Sequence, residues 1–412
     1  MGESDYLADP MADSSRVLVL NSGSSSLKFA LLDPHSGEQY LSGIGEALGG
    51  PEPLLTWKSP GQKHSRQLDS GAAHGVVIDL LVRDLLAGSQ PAAGNLIAVG
   101  HRVVHGGEQF AHSVVIDQKV IDAIAECAAL APLHNPPGLL GIHAAINAFP
   151  EIPQVAVFDT AFHQTLPRHA YLYALPYALY RDQRIRRYGM HGSSHRFVCE
   201  RAAELLRKPL RELNIISAHL GNGASVTAVR NGQSVDTSMG LTPMEGLVMG
   251  TRCGDIDPGL LLHLGDALGF SLEKISSLLN RESGLLGISQ LSNDCRELES
   301  AAADGHEGAK LALEIFCYRL AKYIAAYTVP LQRVDAVVFT GGIGENSIFV
   351  REQVLHQLRH LGFHVDAKHN ESIRFGAEGR ITAADSAVAL VIPTNEEWVI
   401  ARDAAALVRP GE

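Results

Sequence analysis

Arg16-Val17-Leu18-Val19-Leu20-Asn21-Ser22-Gly23-Ser24-Ser25-Ser26-Leu27-Lys28 decides how the chain is read. Its apolar run reads as a buried strand, the Gly/Ser segment as a tight turn, and Phe29-Ala30-Leu31-Leu32 as the strand that returns. Small side chains let the backbone approach a polyphosphate, and successive N–H groups in such a turn form an anion-binding concavity without net positive charge. The same order recurs where Ile215-Ile216-Ser217-Ala218 leads into His219-Leu220-Gly221-Asn222-Gly223-Ala224-Ser225 and out through Val226-Thr227-Ala228-Val229. Two phosphate-facing hairpins in one chain point to a duplicated nucleotide-binding unit. Gly/Ser hairpins also occur as plain turns, so neither loop carries the reading alone.

Composition sets the outer limits. At 412 residues and 46% hydrophobic, the chain is long enough for two domains with their own cores. A net charge of −11 argues against a nucleic-acid or anionic-membrane surface, so a small anionic substrate must be met by local cations. No window approaches the roughly 18 apolar residues of a membrane span. Residues 1–15 are acidic and polar rather than basic then apolar, which predicts a disordered extension and a cytoplasmic protein. Cys127, Cys199, Cys253, Cys295 and Cys317 are odd in number and lack any C-x-x-C pair, and so read as reduced thiols.

Strand-like pieces follow at 39–44 and 53–57, a helix at 76–86, and the apolar strand Asn95–Gly100, which runs into His101-Arg102-Val103-Val104-His105-Gly106-Gly107. A helix is predicted over 117–130, a Pro-punctuated turn over 131–138, and a strand over 154–158 that ends at Asp159. The second half repeats the order, with strands at Ile215 and Gln233, helices over 258–268, 272–279 and 308–328, and the strand Ala336–Thr340. Strand ends carry sites in open α/β sheets.

The first strand-turn-strand with Asn21, the run Gly341-Gly342-Ile343-Gly344-Glu345-Asn346 and the duplication resemble the superfamily of acetate and sugar kinases, heat-shock ATPases and actin. Gly100–Glu108, Val157–His163, Gly250-Thr251-Arg252-Cys253-Gly254-Asp255-Ile256-Asp257-Pro258 and Pro393-Thr394-Asn395-Glu396-Glu397 narrow the resemblance to the acetate kinase family, in the family's order. It implies an α/β protein of two duplicated ribonuclease H-like, actin-like ATPase domains, with ATP in the cleft between them. The expected division is an N-terminal domain over 16–160 completed by a helix over 396–412, and a second domain over 161–395. Hinges are expected at 159–163 and near Thr394. The implied activity is transfer of the ATP γ-phosphoryl group to acetate, giving acetyl phosphate and ADP, with Mg²⁺ or its substitute Mn²⁺ as cofactor. A homodimer is also implied.

Phosphoryl transfer spreads charge over equatorial oxygens, so a site needs cations near the transferring group more than covalent machinery. Arg102 and Arg252 are the candidates, each able to clamp oxygens with a guanidinium fork. By resemblance, Arg102 faces the acyl carboxylate and Arg252 the transferring phosphoryl, which His191 also stabilises. The i, i+4 pairs His191/His195 and His101/His105 alternatively suit zinc, although neither carries the Glu of H-E-x-x-H. His134 matches another site histidine and equally suits a turn cap. Asp159 need not act as general base, because a carboxylic acid of pKa near 4 is already ionised at pH 7; orientation or a magnesium-water contact suits it better. Asn21 and Glu396 match magnesium-associated positions, and Glu396 also suits the start of a final helix. Lys28, His219, Leu220, Gly221, Asn222 and Gly223 match phosphate contacts. Asp294-Cys295-Arg296 and the glycine-rich turn Gly341-Gly342-Ile343-Gly344-Glu345 match the adenosine pocket.

Val104, Leu133, Met190 and Pro243 match the wall of the acyl pocket, but the family usually has Phe where Met190 stands. Methionine fills gaps differently from a ring, and methylene discrimination in apolar pockets is only about 10–200-fold, which leaves propionate or another short carboxylate as an alternative substrate. Cys253 and Cys295 adjoin site arginines, an arrangement that lowers a thiol pKa, but inert buried cysteine is the more frequent case. A nucleotide-driven actin or heat-shock ATPase is the rival class, since it shares the first loop but has no use for Arg102, His191 and Arg252 together. No G-x-x-x-x-G-K-[ST] sequence is present, which excludes a P-loop kinase. A sugar kinase suits the two arginines and small apolar wall less well.

Overall fold

The computed structural model describes residues 15–86, 95–131 and 134–408. Two compact units emerge, one from the chain up to Ala161 together with the segment from Glu396 onward, the other from Phe162 to Asn395. Residues 1–14 of the expected extension lie outside the described residues, and Ser15 already belongs to a strand.

The first unit is built on β1 (Ser15–Ser22), β2 (Leu27–Leu32), β3 (Gln39–Glu46), β4 (Leu54–Ser59), β5 (Gln62–Gln67), β6 (Asn95–Val103), β7 (Val114–Val115) and β8 (Gln154–Phe158), in the order β5-β4-β3-β2-β1-β6-β8-β7. β1 pairs antiparallel with β2 and parallel with β6, which pairs parallel with β8. Alternate residues of β1 serve opposite faces, as expected of a strand covered on both sides. Leu18 and Leu20 join Phe29, Leu31, Ile78 and Ala145, while Val17 and Val19 join Ala98, Val155, Ile400 and Ala404. That second face is closed by helix Glu396–Val408. It lies close because Gly100 has no side chain: a Cβ there would stand 2.6 Å from Ile400 Cγ2.

The second unit contains β9 (Asn214–Leu220), β10 (Ala224–Arg230), β11 (Gln233–Thr237), β12 (Ala336–Thr340), β13 (Gly379–Arg380) and β14 (Ala389–Val391), ordered β11-β10-β9-β12-β14-β13. β9 is antiparallel to β10 and parallel to β12, and β12 is parallel to β14. The five strands β3-β2-β1-β6-β8 therefore have the same order and directions as β11-β10-β9-β12-β14. Helices Gly192–Leu206 and Glu307–Ala326 are the longest of this unit among the described residues.

Two local expectations are corrected. The Pro-punctuated turn over 131–138 gives way at Asn135 to helix Asn135–Ala148, with the prolines in its first turn, where a missing N–H costs nothing. The glycine-rich turn at Gly341 is helix Gly341–Asn346, entered from β12 with Gly341 at a φ of +75°.

Candidate active site

In the first unit the candidates gather at strand ends. Asn21 and Lys28 face each other across the β1–β2 pair. Gly23 N donates to Ser26 O at 2.8 Å within the connecting turn, and His74 Nε2 donates to Gly23 O at 2.7 Å. His74 was not singled out in the sequence; a lone histidine at a helix start gives no signal of the loop it will pin. Arg102, near the end of β6, donates through Nε and Nη2 to Asp159 Oδ1 and Oδ2 at 3.1 and 2.6 Å. Glu396 Oε2 lies 3.7 Å from Arg102 Nε. Burial pushes the Asp159 carboxyl up and Arg102 pulls it back; burial works against the Arg102 charge, but Asp159 and Glu396 together raise its pKa. The two charge-assisted bonds from Arg102 favour the ionised carboxylate against its burial. Val104 follows β6 directly, and His134 precedes helix Asn135–Ala148 with no side-chain capping bond. Leu133 lies outside the described residues.

In the second unit, Gly221, Asn222 and Gly223 form the tight link between β9 and β10, closed by Gly221 N donating to Gly223 O at 3.0 Å. Leu220 ends β9, fully buried. Gly250 N donates to Asn222 O at 2.9 Å, and a Cβ on Gly250 would stand 2.0 Å from Asn222 Oδ1, so a larger residue would have to push the Asn222 side chain aside. The loop, Arg252 and His191 converge, because a point one Cβ bond out from Gly223 is 3.3 Å from Arg252 Nη1 and 3.6 Å from His191 Nε2. Arg252 Nη1 donates to Pro243 O at 2.9 Å and lies 3.7 Å from Met249 Sδ. Among the described residues no carboxylate lies within 4.0 Å of Arg252, and burial alone lowers its pKa. A half-buried cation without a counter-charge is a ready receptor for an anion.

His191 precedes helix Gly192–Leu206 with φ +59°, a left-handed conformation that non-glycine residues seldom adopt and that concentrates at functional sites. Its Nδ1 is 2.9 Å from Ser225 Oγ, and its ring stacks on His219 with centroids 4.3 Å apart. His219 Nδ1 meets Ser194 Oγ at 2.8 Å, and that hydroxyl meets Thr394 Oγ1 at 2.7 Å. His195 is fully buried between Ser217 and Ser225, which engage both its nitrogens. The serines of β9 and β10 were missed in the sequence reading, although their alternation with His219 along the strands was visible. Met190 is buried, and its carbonyl accepts from His163 Nε2 at 3.0 Å.

Asp294 caps helix Cys295–Ala303 and is held by Arg296, which is exposed. Glu345 turns its carboxylate onto Gly341 N at 2.9 Å and Thr394 N at 3.1 Å, fixing the backbone of Gly341–Asn346. Of the two readings of Cys253 and Cys295 the inert one is supported: burial raises both thiols, and Arg296 points to Asp294 rather than to Cys295. Among the described residues no three His, Cys, Asp or Glu side chains are placed to hold a metal ion.

Two α/β units of matching strand order, each with a tight glycine-bearing turn between its first two strands, define the duplicated ribonuclease H-like fold of the actin-like ATPases. The chain belongs to the acetokinase family, whose sequence model matches residues 16–402. It is 61% identical over 392 residues to an acetate kinase of Shewanella sp. strain ANA-3, covering 95% of this chain and 98% of that one. Among solved structures it is similar to the acetate kinase of Porphyromonas gingivalis, at 45% identity and a TM-score of 0.90, covering 96% of this chain and all of that one. A propionate kinase of Francisella tularensis is similar at 45% identity and a TM-score of 0.89, covering 95% of this chain and all of that one.

Proposed function

We propose that this protein catalyses Mg²⁺-dependent transfer of the γ-phosphoryl group between ATP and acetate, giving acetyl phosphate and ADP. The carrying observation is Arg252, a half-buried guanidinium with no carboxylate within reach among the described residues, beside the Gly223 turn and His191. A developing metaphosphate-like group needs fixed positive charge and N–H donors, which Arg252 and His191 supply. The acetate oxygen attacks phosphorus in line as an ionised carboxylate, so no base is needed. Arg102 takes the carboxylate through the part of its fork not given to Asp159, and Asp159 holds that fork in place. Val104, Leu133, His134, Met190 and Pro243 bound the acyl group. Lys28 and the 219–223 segment meet phosphates, while 294–296 and 341–345 take the adenosine.

Asn21, Asp159 and Glu396 offer only oxygen donors, and Asp159 and Glu396 lie against the same guanidinium. This donor chemistry fits Mg²⁺ bound largely through water and phosphates, with Mn²⁺ as substitute. When bound, the ion supplies neutralisation of phosphate charge. The exposed apolar side chains Leu260, Leu262, Leu268 and Leu272 support a homodimer in which a second copy covers them. No described helix is long and apolar enough to cross a membrane, and dependence on ATP supports a cytoplasmic setting.

The test is acyl-phosphate formation trapped as hydroxamate, with acetate, propionate and butyrate in parallel and Arg252→Ala as control. Acetate-preferring turnover, lost in the variant, is expected. ATP hydrolysis without carboxylate dependence would overturn the proposal in favour of an actin or heat-shock ATPase. Met190 supports a second reading, preference for propionate, which the same assay decides.

A further inference from the structure

Behind His191 runs a chain of buried side chains. Ser217 Oγ is 2.9 Å from His195 Nδ1, His195 Nε2 is 2.8 Å from Ser225 Oγ, and Ser225 Oγ is 2.9 Å from His191 Nδ1. Ser217, His195 and Ser225 are fully buried. Burial, then the neighbouring His163 and His219, keep the His195 imidazole well below its ordinary pKa, so it carries one ring proton. Each contact needs one proton, and each of Ser217, His195 and Ser225 brings one.

With His195 neutral, three arrangements give each contact one proton. In the first, Ser217 donates to His195 Nδ1, His195 Nε2–H donates to Ser225, and Ser225 donates to His191 Nδ1. In the second every bond is reversed, His191 donates through Nδ1–H, and the Ser217 hydroxyl proton needs another acceptor. In the third only the last bond is reversed, Ser225 accepts from both histidines, and its own hydroxyl proton needs another acceptor. Neither the Ser217 nor the Ser225 hydroxyl makes another hydrogen bond among the described residues, so the second and third arrangements each leave a buried donor unmade and the first leaves none. A positive ring at His191 would also stand against the Arg252 charge, which shares the space beside Gly223.

We propose that the chain Ser217–His195–Ser225 fixes His191 as the neutral Nε2–H tautomer, so that an uncharged imidazole donates to the transferring phosphoryl group. Ser225 and His195 are then positioning residues, and they leave the positive charge at the transition state to Arg252. The assignment rests on the phosphoryl-transfer reading above for its consequence, but the tautomer itself is a property of the resting protein.

The experiment is two-bond ¹H–¹⁵N correlation of the intact protein labelled in its histidine rings, at about pH 8, above the ordinary imidazole pKa of about 6.5. His191 is identified by its absence in His191→Gln. Expected is a protonated Nε2 and an acceptor-type Nδ1 in the wild type, and a tautomer mixture in Ser225→Ala. In that variant kcat should fall about tenfold, with KM for acetate and ATP changed less than about twofold, the pattern of an interaction made in the transition state. Ser225→Thr, which keeps the hydroxyl, should restore both readouts. A proton on Nδ1, a doubly protonated ring in the wild type, or an unchanged tautomer and kcat in Ser225→Ala would overturn the assignment. The wild-type spectrum decides alone if the variant fails to fold. Hydroxamate formation in the same preparation shows separately whether the phosphoryl-transfer reading stands.

Discussion

Replacing Arg252 with methionine should make the protein more stable and nearly inactive. The guanidinium donates to the Pro243 carbonyl, and losing that charge-assisted bond costs about 1.5–3 kcal/mol. Against this, the substitution removes a half-buried cation that no carboxylate faces among the described residues, which recovers several kcal/mol of desolvation. A net gain of about 1 kcal/mol corresponds to about 2–4 °C in the melting of a unit of this size. Loss of an arginine that stabilises the transferring group should lower kcat by about 10³–10⁵-fold. Arg351→Met is the contrast: that fully buried guanidinium bonds Asn370 Oδ1 and the carbonyls of Gly344, Glu345, Asn370 and Ile373, and its loss should lower Tm steeply. Calorimetry of both variants beside the hydroxamate assay makes the comparison. A fall of several degrees in Arg252→Met, like that of Arg351→Met, would show that Arg252 is a structural residue and refute the reasoning.

Met190→Phe should tighten the preference for acetate over propionate by about tenfold, since a ring would replace a flexible wall; unchanged ratios of kcat/KM would remove Met190 from the pocket. His101 and His163 are held neutral by burial, with their imidazoles pushed down to about 4. An unfolded histidine takes up its proton near pH 6.5, so stability is full above that value and falls as pH drops toward 4, by roughly 3 kcal/mol for each. Thermal melts stepped through this window should decline, and a flat profile would reject the assignment. Gly250→Ala places a Cβ 2.0 Å from Asn222 Oδ1, so it should push the Asn222 side chain aside and raise KM for ATP more than it lowers Tm; an unaltered KM would separate that side chain from the nucleotide.

The parts of the fold that could be read from the sequence are those whose burial is continuous. β8 and β12 are buried at every residue, and such apolar runs have no competing interpretation. β5 escaped because Gln62–Gln67 has no apolar residue and pairs along the sheet margin. The prolines of Asn135–Ala148 and the glycines of Gly341–Asn346 read as turns because local signals do not distinguish a helix's first turn from a loop. At the site, Arg102 and Asp159 were separate candidates, and only the parallel register of β6 with β8 brings them together. At Cys295 the converse holds: Arg296 is its neighbour in sequence, but the guanidinium turns to Asp294.

The helix Glu396–Val408, which closes one face of the first sheet, makes synthesis order matter. A ribosome delivers β1 to β8 long before it delivers Ile400, Ala401 and Ala404, so Val17, Val19 and Val155 must wait with that side uncovered while the whole of Phe162–Asn395 emerges. The second unit, continuous in the chain, can therefore finish first, reversing the usual N-terminal-first order. During that wait an apolar strand face is open to chaperones and to misassociation, and a stalled or clipped chain lacking the last helix carries its defect at the far end of the sequence.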